Sequence, residues 1–295
     1  MEANIKARSE AVQKYFTPTP TPEPIRPSFT GDITLITIGL FLFMVGIIWL
    51  SSTTKSLKSV DSEMAILASG FALGFIFLML GWLGWSYKKS AYDGKKSVYD
   101  SAFAKAEPKP SDSQMEAWLN EDKSRIINDG MRKLGLIPEQ ILNPNPIVII
   151  GPLEGAKIAE GKTDGFVMFS GYRVVVVYLT NFHLGAYTCH LNFYDGSITN
   201  EETQEYHYID IVSVATLTVN SEFIVETTDG KKHPIATQQQ FSLSVASSES
   251  IRVTVAFPQI PGIIKTGRLL PSESEKAIGI IRAMLREKKG GLPHG

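Results

Sequence analysis

Two uncharged apolar runs, Ile33–Leu50 (ITLITIGLFLFMVGIIWL) and Met64–Tyr87 (MAILASGFALGFIFLMLGWLGWSY), constrain this chain more than any other feature. A bilayer's hydrocarbon core, about 30 Å thick, is crossed by roughly 20 apolar residues in a helix, and each run is long enough. Only Ser51–Glu63 lies between them, so they predict a tight transmembrane α-hairpin over 30–90. A cleaved signal peptide fits badly. Such peptides have a short basic leader and a small-residue cleavage site, whereas here a proline-rich stretch precedes the first run and a second run follows at once.

The remainder is polar, and 295 residues leave room beside the hairpin for one or two soluble domains. A formal net charge of −1 gives no support to nucleic-acid binding through phosphate attraction. The sole cysteine, Cys189, cannot form an intrachain disulfide, which fits a domain in a reducing cytosol. Lys88, Lys89, Lys95 and Lys96 follow the second run, Arg26 precedes the first, and the loop between holds Lys55 and Lys58. Basic flanks mark the cytoplasmic side. The expectation is a multi-pass protein of the cell (plasma) membrane with both termini in the cytoplasm and the lipid bilayer as its first partner.

Both runs carry glycines on narrow helical faces, Gly39 and Gly46 in the first and Gly70, Gly74, Gly81 and Gly84 in the second. Small residues let helix backbones approach closely in lipid, so these six are the expected packing positions, within the hairpin or between copies. Trp49, Trp82, Trp85 and Tyr87 sit near the run ends as interface anchors.

Ahead of the hairpin, 1–29 divides in two. Residues 2–16 read as a short amphipathic helix with Ile5, Val12 and Phe16 on one stripe, either lying in the membrane interface or frayed. Thr17–Pro24 (TPTPTPEP) is an extended, semi-rigid spacer. Beyond the hairpin, 91–135 reads as a polar linker, within Lys88–Pro110, and then a helix. That helix opens at the capping box Ser111-x-x-Gln114 and stops at Gly135.

From Pro146 the texture is that of strands. Ile147–Ile150, Phe166–Phe169, Tyr172–Thr180, His183–Tyr194, Glu205–Val219, Glu222–Thr228, Lys231–Thr237 and Ile251–Phe257 are rich in β-branched and aromatic residues. Asp229-Gly230 is a type I′ hairpin signal and Asp195-Gly196 a second turn. A last helix opens at Ser272-x-x-Glu275 and carries Ala277, Ile278, Ile281, Met284 and Leu285 as its stripe. Residues 136–295 thus read as a mostly-β soluble domain, a small barrel or paired sheets of about seven antiparallel strands with a C-terminal helix.

Val174–Leu184 (VVVVYLTNFHL), a strand entering an LT-x-x-x-L turn, and Tyr206–Val214 (YHYIDIVSV), with its Y-x-D-I-x-x-V strand, resemble the bacterial pleckstrin-homology-like (PH-like) domains. The resemblance covers residues 146–290. It implies a PH-like small barrel closed by the C-terminal helix, no catalytic residues, and an assembly or adaptor role tethered at a membrane.

Motifs for chemistry are sparse. Ala156–Thr163 (AKIAEGKT) satisfies a loosened phosphate-loop pattern, but such a loop must hand its Lys-Thr to a helix. Here Lys162-Thr163 runs through Asp164-Gly165 into strand-like Phe166–Phe169, so a nucleotide-binding module is the least favoured reading. Cys189 and His190 point to opposite faces of a strand, and His183, His190, His207 and His233 have no metal-ligand spacing. Neither metal nor cofactor is expected. An anionic-lipid headgroup pocket would need converging cations, for which Lys157, Lys162 and Arg173 are the candidates, with Lys231 and Lys232 on a hairpin turn. The acidic stretch Asp195–Glu205 reads as a soluble edge. The chain is therefore expected to be a membrane-anchored, non-enzymatic scaffold or adaptor. It would present its domain for self-assembly as a homo-oligomer or for contact with another membrane-associated protein, with lipid-headgroup sensing as the alternative.

Overall fold

The computed structural model describes residues 2–53, 60–142, 146–163, 166–247, 249–256 and 271–290. The chain divides into two compact units, Thr19–Lys105 and a second that joins Met1–Pro18 to Ala106–Gly295.

In the first unit the apolar runs are helices α2 (Thr30–Thr53) and α3 (Val60–Ala106), both long and apolar enough to cross a membrane. Only 11% of each apolar window is buried. Large apolar side chains such as Phe41 and Phe75 are exposed. The stretch expected as a linker is instead a helical continuation of α3, 47 residues in all. Few of its residues oppose a helix, and it stops where Glu107 precedes Pro108, since the residue before proline is driven out of the α region. Loop residues Lys55 and Lys58, and the side-chain surroundings of Trp49 and Gly70, lie outside the described residues. Lys89 stacks its ammonium over the Trp85 ring at 4.8 Å.

The second unit holds α1 (Glu2–Tyr15), α4 (Asp112–Lys133), β1 (Ile147–Pro152), β2 (Lys157–Glu160), β3 (Val167–Phe169), β4 (Gly171–Leu179), β5 (His183–Asn192), β6 (Ile198–His207), β7 (Ile211–Thr227), β8 (Lys232–Val245), β9 (Ser250–Ala256) and α5 (Pro271–Gly290). One sheet has the order β1-β4-β5-β6 and the other β3-β2-β7-β8-β9. All pairings are antiparallel except β2 with β7, parallel at Lys157↔Glu226 and Ile158↔Thr227. The domain is mostly β, as the sequence implies, but among the described residues it forms open sheets rather than one closed barrel. The strand count differs because β2 lies in a segment that reads as a loop and β6 in the acidic edge. In addition, Glu205–Val219 and Glu222–Thr228 largely merge into the single strand β7, irregular between Asn220 and Phe223.

β4 is covered on both sides, which is why it reads as the unbroken run VVVVYL rather than an alternation. Val174, Val176 and Tyr178 join a core with Val12 of α1, Phe16 just beyond it, and Met115, Leu119 and Ile126 of α4. Val175, Val177 and Leu179 face a second core with Ile149, Phe241, Leu243, Val253, and Ile278 and Ile281 of α5. Side chains two apart share a face, so one strand serves both. β1 and β9 cross so closely at Gly151 that a Cβ there would run into the Thr254 carbonyl.

Three expectations change. Of the expected stripe Ile5, Val12 and Phe16, Ile5 is exposed, and the helix is anchored at its end rather than frayed: Val12, Tyr15 and Phe16 are buried in the β domain. Asp229-Gly230 does turn a hairpin, but its loop is Thr228–Gly230. Thr227 and Lys231 face each other across it, and only Gly230 has positive φ (82°), which is the three-residue bulged turn rather than type I′. Finally, α5 starts at Pro271, one residue before the expected cap Ser272, with proline at the first helical position; the side chains of Ser272, Glu275 and Ala277 lie outside the described residues. At α4 the cap is as expected, Ser111 accepting the Gln114 N–H at 3.2 Å.

Candidate functional site

The nucleotide-like segment is a β-hairpin connection. β2 ends at Glu160, β3 begins at Val167, and Gly161 donates its N–H to the Phe166 carbonyl at 2.8 Å. Thr163 donates its N–H to the Asp112 carboxylate at 2.8 Å, and Tyr15 donates its hydroxyl to the other oxygen at 2.9 Å. Burial works against ionisation of Asp112, but these bonds prevail and hold its carboxyl below the usual range. An amide that a phosphate would need is already taken by a carboxylate of the chain itself. Asp164 and Gly165 lie outside the described residues.

The three lipid-site candidates are not brought together by any contact among the described residues. Lys157 pairs with Glu226 at 3.6 Å. Lys162 is exposed and neighbours Lys109, whose ammonium is disfavoured first by its own burial and then by the Lys162 charge. Arg173 is half-buried in β4 beside His190, whose protonation burial and the Arg173 charge both oppose. Lys231 pairs with Asp229 across its turn at 2.6 Å.

Cys189 is buried in the core under α4, and burial pushes its thiol up to about 12. Such a thiol is a packing residue rather than a nucleophile. His183 and His207 are cross-strand partners, while His190 meets Asn200 and His233 lies on β8. Among the described residues no group of three His, Cys, Asp or Glu could hold a metal ion.

The glycine faces meet each other inside the hairpin. A Cβ at Gly39 would come within 2.8 Å of the Leu78 nitrogen and 2.9 Å of the Gly74 carbonyl. At Gly81 it would sit 2.9 Å from the Asp32 carbonyl, at Gly84 2.6 Å from the Asp32 carboxylate, and at Gly46 3.1 Å from the Phe71 ring. Asp32 is buried there and ion-paired with Lys88 at 2.8 Å.

Recesses among the described residues of the second unit include two lined by charged side chains. One, of about 450 Å³, is polar and lies between the end of α1 (Ser9, Gln13, Phe16) and Lys157, Asn192, Tyr194 and Asp195. The other, of about 470 Å³, runs between the start of β7 (Ile211, Val212, Ser213, Val214) and Arg282, Leu285, Arg286 and Lys289 of α5. Arg282 donates its Nε–H to the Val214 carbonyl at 3.1 Å, and Lys289 donates to the Ile211 carbonyl. β7 pairs with β8 from Ile211 to Asn220, whereas its other edge meets β2 only at Glu226 and Thr227. Among the described residues no strand pairs with the other edge of β7 from Ile211 to Val219, where Lys289 and Arg282 cap the Ile211 and Val214 carbonyls. Neither Arg282 nor Arg286 stands out in the sequence; the readable signal was the absence of charge across IVSVATLTVN. Comparisons with protein-family models, with curated proteins and with solved structures give no match.

Proposed function

We propose that this chain is a two-span membrane scaffold that holds a PH-like β domain in the cytoplasm for contact with other proteins or with copies of itself. One observation carries the reading: residues before the hairpin and residues after it build the same unit. Val12, Tyr15 and Phe16 share a core with α4 and β4, which supports both ends of the hairpin lying on one side of the membrane and an even number of crossings. The excess of lysines after the second run supports the cytoplasm as that side. The PH-like assignment is supported by two antiparallel sets, β1-β4-β5-β6 and β7-β8-β9, followed by a helix that packs Ile278 and Ile281 between them. A scaffold role is supported by what this arrangement does physically, which is to fix a folded surface with open strand edges at a membrane.

Cysteine labelling tests the topology. A membrane-impermeant maleimide should label Ser51→Cys in intact cells and should label Glu10→Cys only after permeabilisation. Labelling of Glu10→Cys from outside overturns the orientation. Lysine-directed cross-linking in native membranes tests the scaffold. Discrete cross-linked species are expected, and a monomer with no captured partner would count against the reading.

A further inference from the structure

We infer that Arg173 and His190, neighbours on one face of the β1-β4-β5-β6 sheet, form a binding site for a phosphate group. The site goes beyond the scaffold reading and does not depend on it. An uncompensated charge supplies the first argument. Arg173 is half-buried and its Nε is buried with no acceptor. Among the described residues its guanidinium forms no ion pair. A guanidinium drawn out of water without a counter-ion is costly, and a buried donor without an acceptor is rare in a folded protein. Glu202 of β6, across from Thr188, takes the Gln204 side-chain amide at 2.7 Å rather than Arg173.

A β-bulge supplies the second argument. Arg173 and His190 are direct register partners across β4 and β5, which sets their Cβ atoms about 5 Å apart on one face. β5 and β6 then lose register: Thr188 faces Glu202 but His190 faces Thr199, so β6 carries an extra residue between them. Asn200, inside that bulge, has a left-handed φ of 51°, uncommon for a residue with a side chain. Bulges re-aim side chains, and this one brings Asn200 Nδ2 to His190 Nδ1 at 2.9 Å. An amide nitrogen only donates, so Nδ1 accepts and the ring proton sits on Nε2. Burial and the Arg173 charge both oppose a second proton. His190 is thus held as a neutral N–H donor beside a guanidinium that lacks a counter-ion. A carboxylate has two oxygens, which a guanidinium fork fills by itself. A phosphate has a further oxygen for the His190 Nε2–H and a charge that suits the arginine.

The test uses the full chain in phosphate-free maltoside micelles. The nitrogen-15 signal of His190 Nε2 is followed during titration with inorganic phosphate, and with acetate and chloride at equal ionic strength. A saturable shift with phosphate alone is expected, and Arg173→Met should weaken it at least ten-fold. Asn200→Gly should weaken it several-fold while leaving the domain no less stable, since glycine adopts the left-handed conformation freely. That variant keeps the test open should Arg173→Met fail to fold. An equal shift with acetate, no saturable shift, or an affinity unchanged in either variant overturns the site. Glycerol 3-phosphate and dihexanoyl phosphatidic acid, each competed against inorganic phosphate, separate the sources. Competition by both supports a soluble phosphate ester and competition by phosphatidic acid alone supports a lipid headgroup, whereas competition by neither overturns the site.

Discussion

Arg8, in the helix ahead of the membrane hairpin, is ion-paired with Asp122 of α4, 114 residues further along the chain. The Asp122 side chain is 3% exposed and also receives Arg125 at 3.1 Å, so a single buried carboxylate serves two guanidinium groups. Arg8 in turn lies over the Trp118 and Phe193 rings. The pair joins residues that the two long apolar helices separate in sequence, so it ties the start of the chain to the unit that follows those helices.

Breaking that pair from its two ends should have unequal costs. Asp122→Ala leaves Arg8, only 16% exposed, without its counter-charge, and losing one partner of a buried pair costs about 3 kcal/mol or more. Arg8→Met leaves Asp122 still paired with Arg125 and should cost clearly less. Denaturant unfolding of the full chain in detergent, followed by far-UV circular dichroism, measures both. Equal losses would mean that Asp122 acts through packing rather than charge.

The hairpin should rank its glycines by what a methyl group would meet. Gly39→Ala drives Cβ against main-chain atoms of Leu78 and Gly74, and overpacking of this kind costs about 1–3 kcal/mol. Gly46→Ala meets only the Phe71 ring, which can swing away, and should cost less. Gly94→Ala meets nothing within 4 Å and should stabilise the helix by up to about 1 kcal/mol. Thermal unfolding in bicelles would expose a different order.

What was legible in the sequence follows from which interactions are local. The spans are runs of apolar residues, the α4 cap is a four-residue pattern, and β4 is a stretch of β-branched residues; each is set by neighbours in the chain. The docking of α1 depends on Asp112 and Asp122, beyond the two long apolar helices, and no local pattern announces it. The lysine-bearing loop 161–163 looked chemical because a motif is a spacing, while its chemistry depends on a carboxylate 51 residues away. The groove residues Val212 and Arg282 come from two elements that each look ordinary alone.

Cys189 gives a direct reading of core integrity. With its thiol pushed up to about 12 by burial, it should resist maleimide at pH 7.5 in the native protein and react fully once the domain is unfolded in guanidinium. Tyr178→Ala removes a fully buried ring from the same core and costs about 3–5 kcal/mol. It should therefore raise the labelling rate by well over ten-fold. Rapid labelling of the unaltered chain would contradict the packed core under α4.

Acid should loosen the α1–α4 junction through Asp112. Its carboxyl titrates below the ordinary 3.8 in the folded chain, so between those values the unfolded chain binds more protons than the folded one. Asp112 therefore contributes its stabilisation fully above about pH 5 and loses it as pH falls through the folded value. Asp112→Asn should be less stable than the parent at neutral pH, with the gap closing below pH 4. Glu201, held low by Lys133 and Tyr187, adds an acid loss of its own to parent and variant alike, so their difference isolates Asp112. At the other end, burial and the Asp112 partner raise the Tyr15 phenol, so its contribution is present below pH 10 and is lost as pH rises further. Tyr15→Phe should lessen the alkaline loss by the share of this phenol, the raised phenols of Tyr172, Tyr178 and Tyr187 acting alike in parent and variant, and should leave the acid limb set by the Thr163–Asp112 bond. Denaturant midpoints from pH 3 to 11 read both limbs, and a gap between Asp112→Asn and the parent that persists unchanged at pH 3 would show that Asp112 acts without its charge.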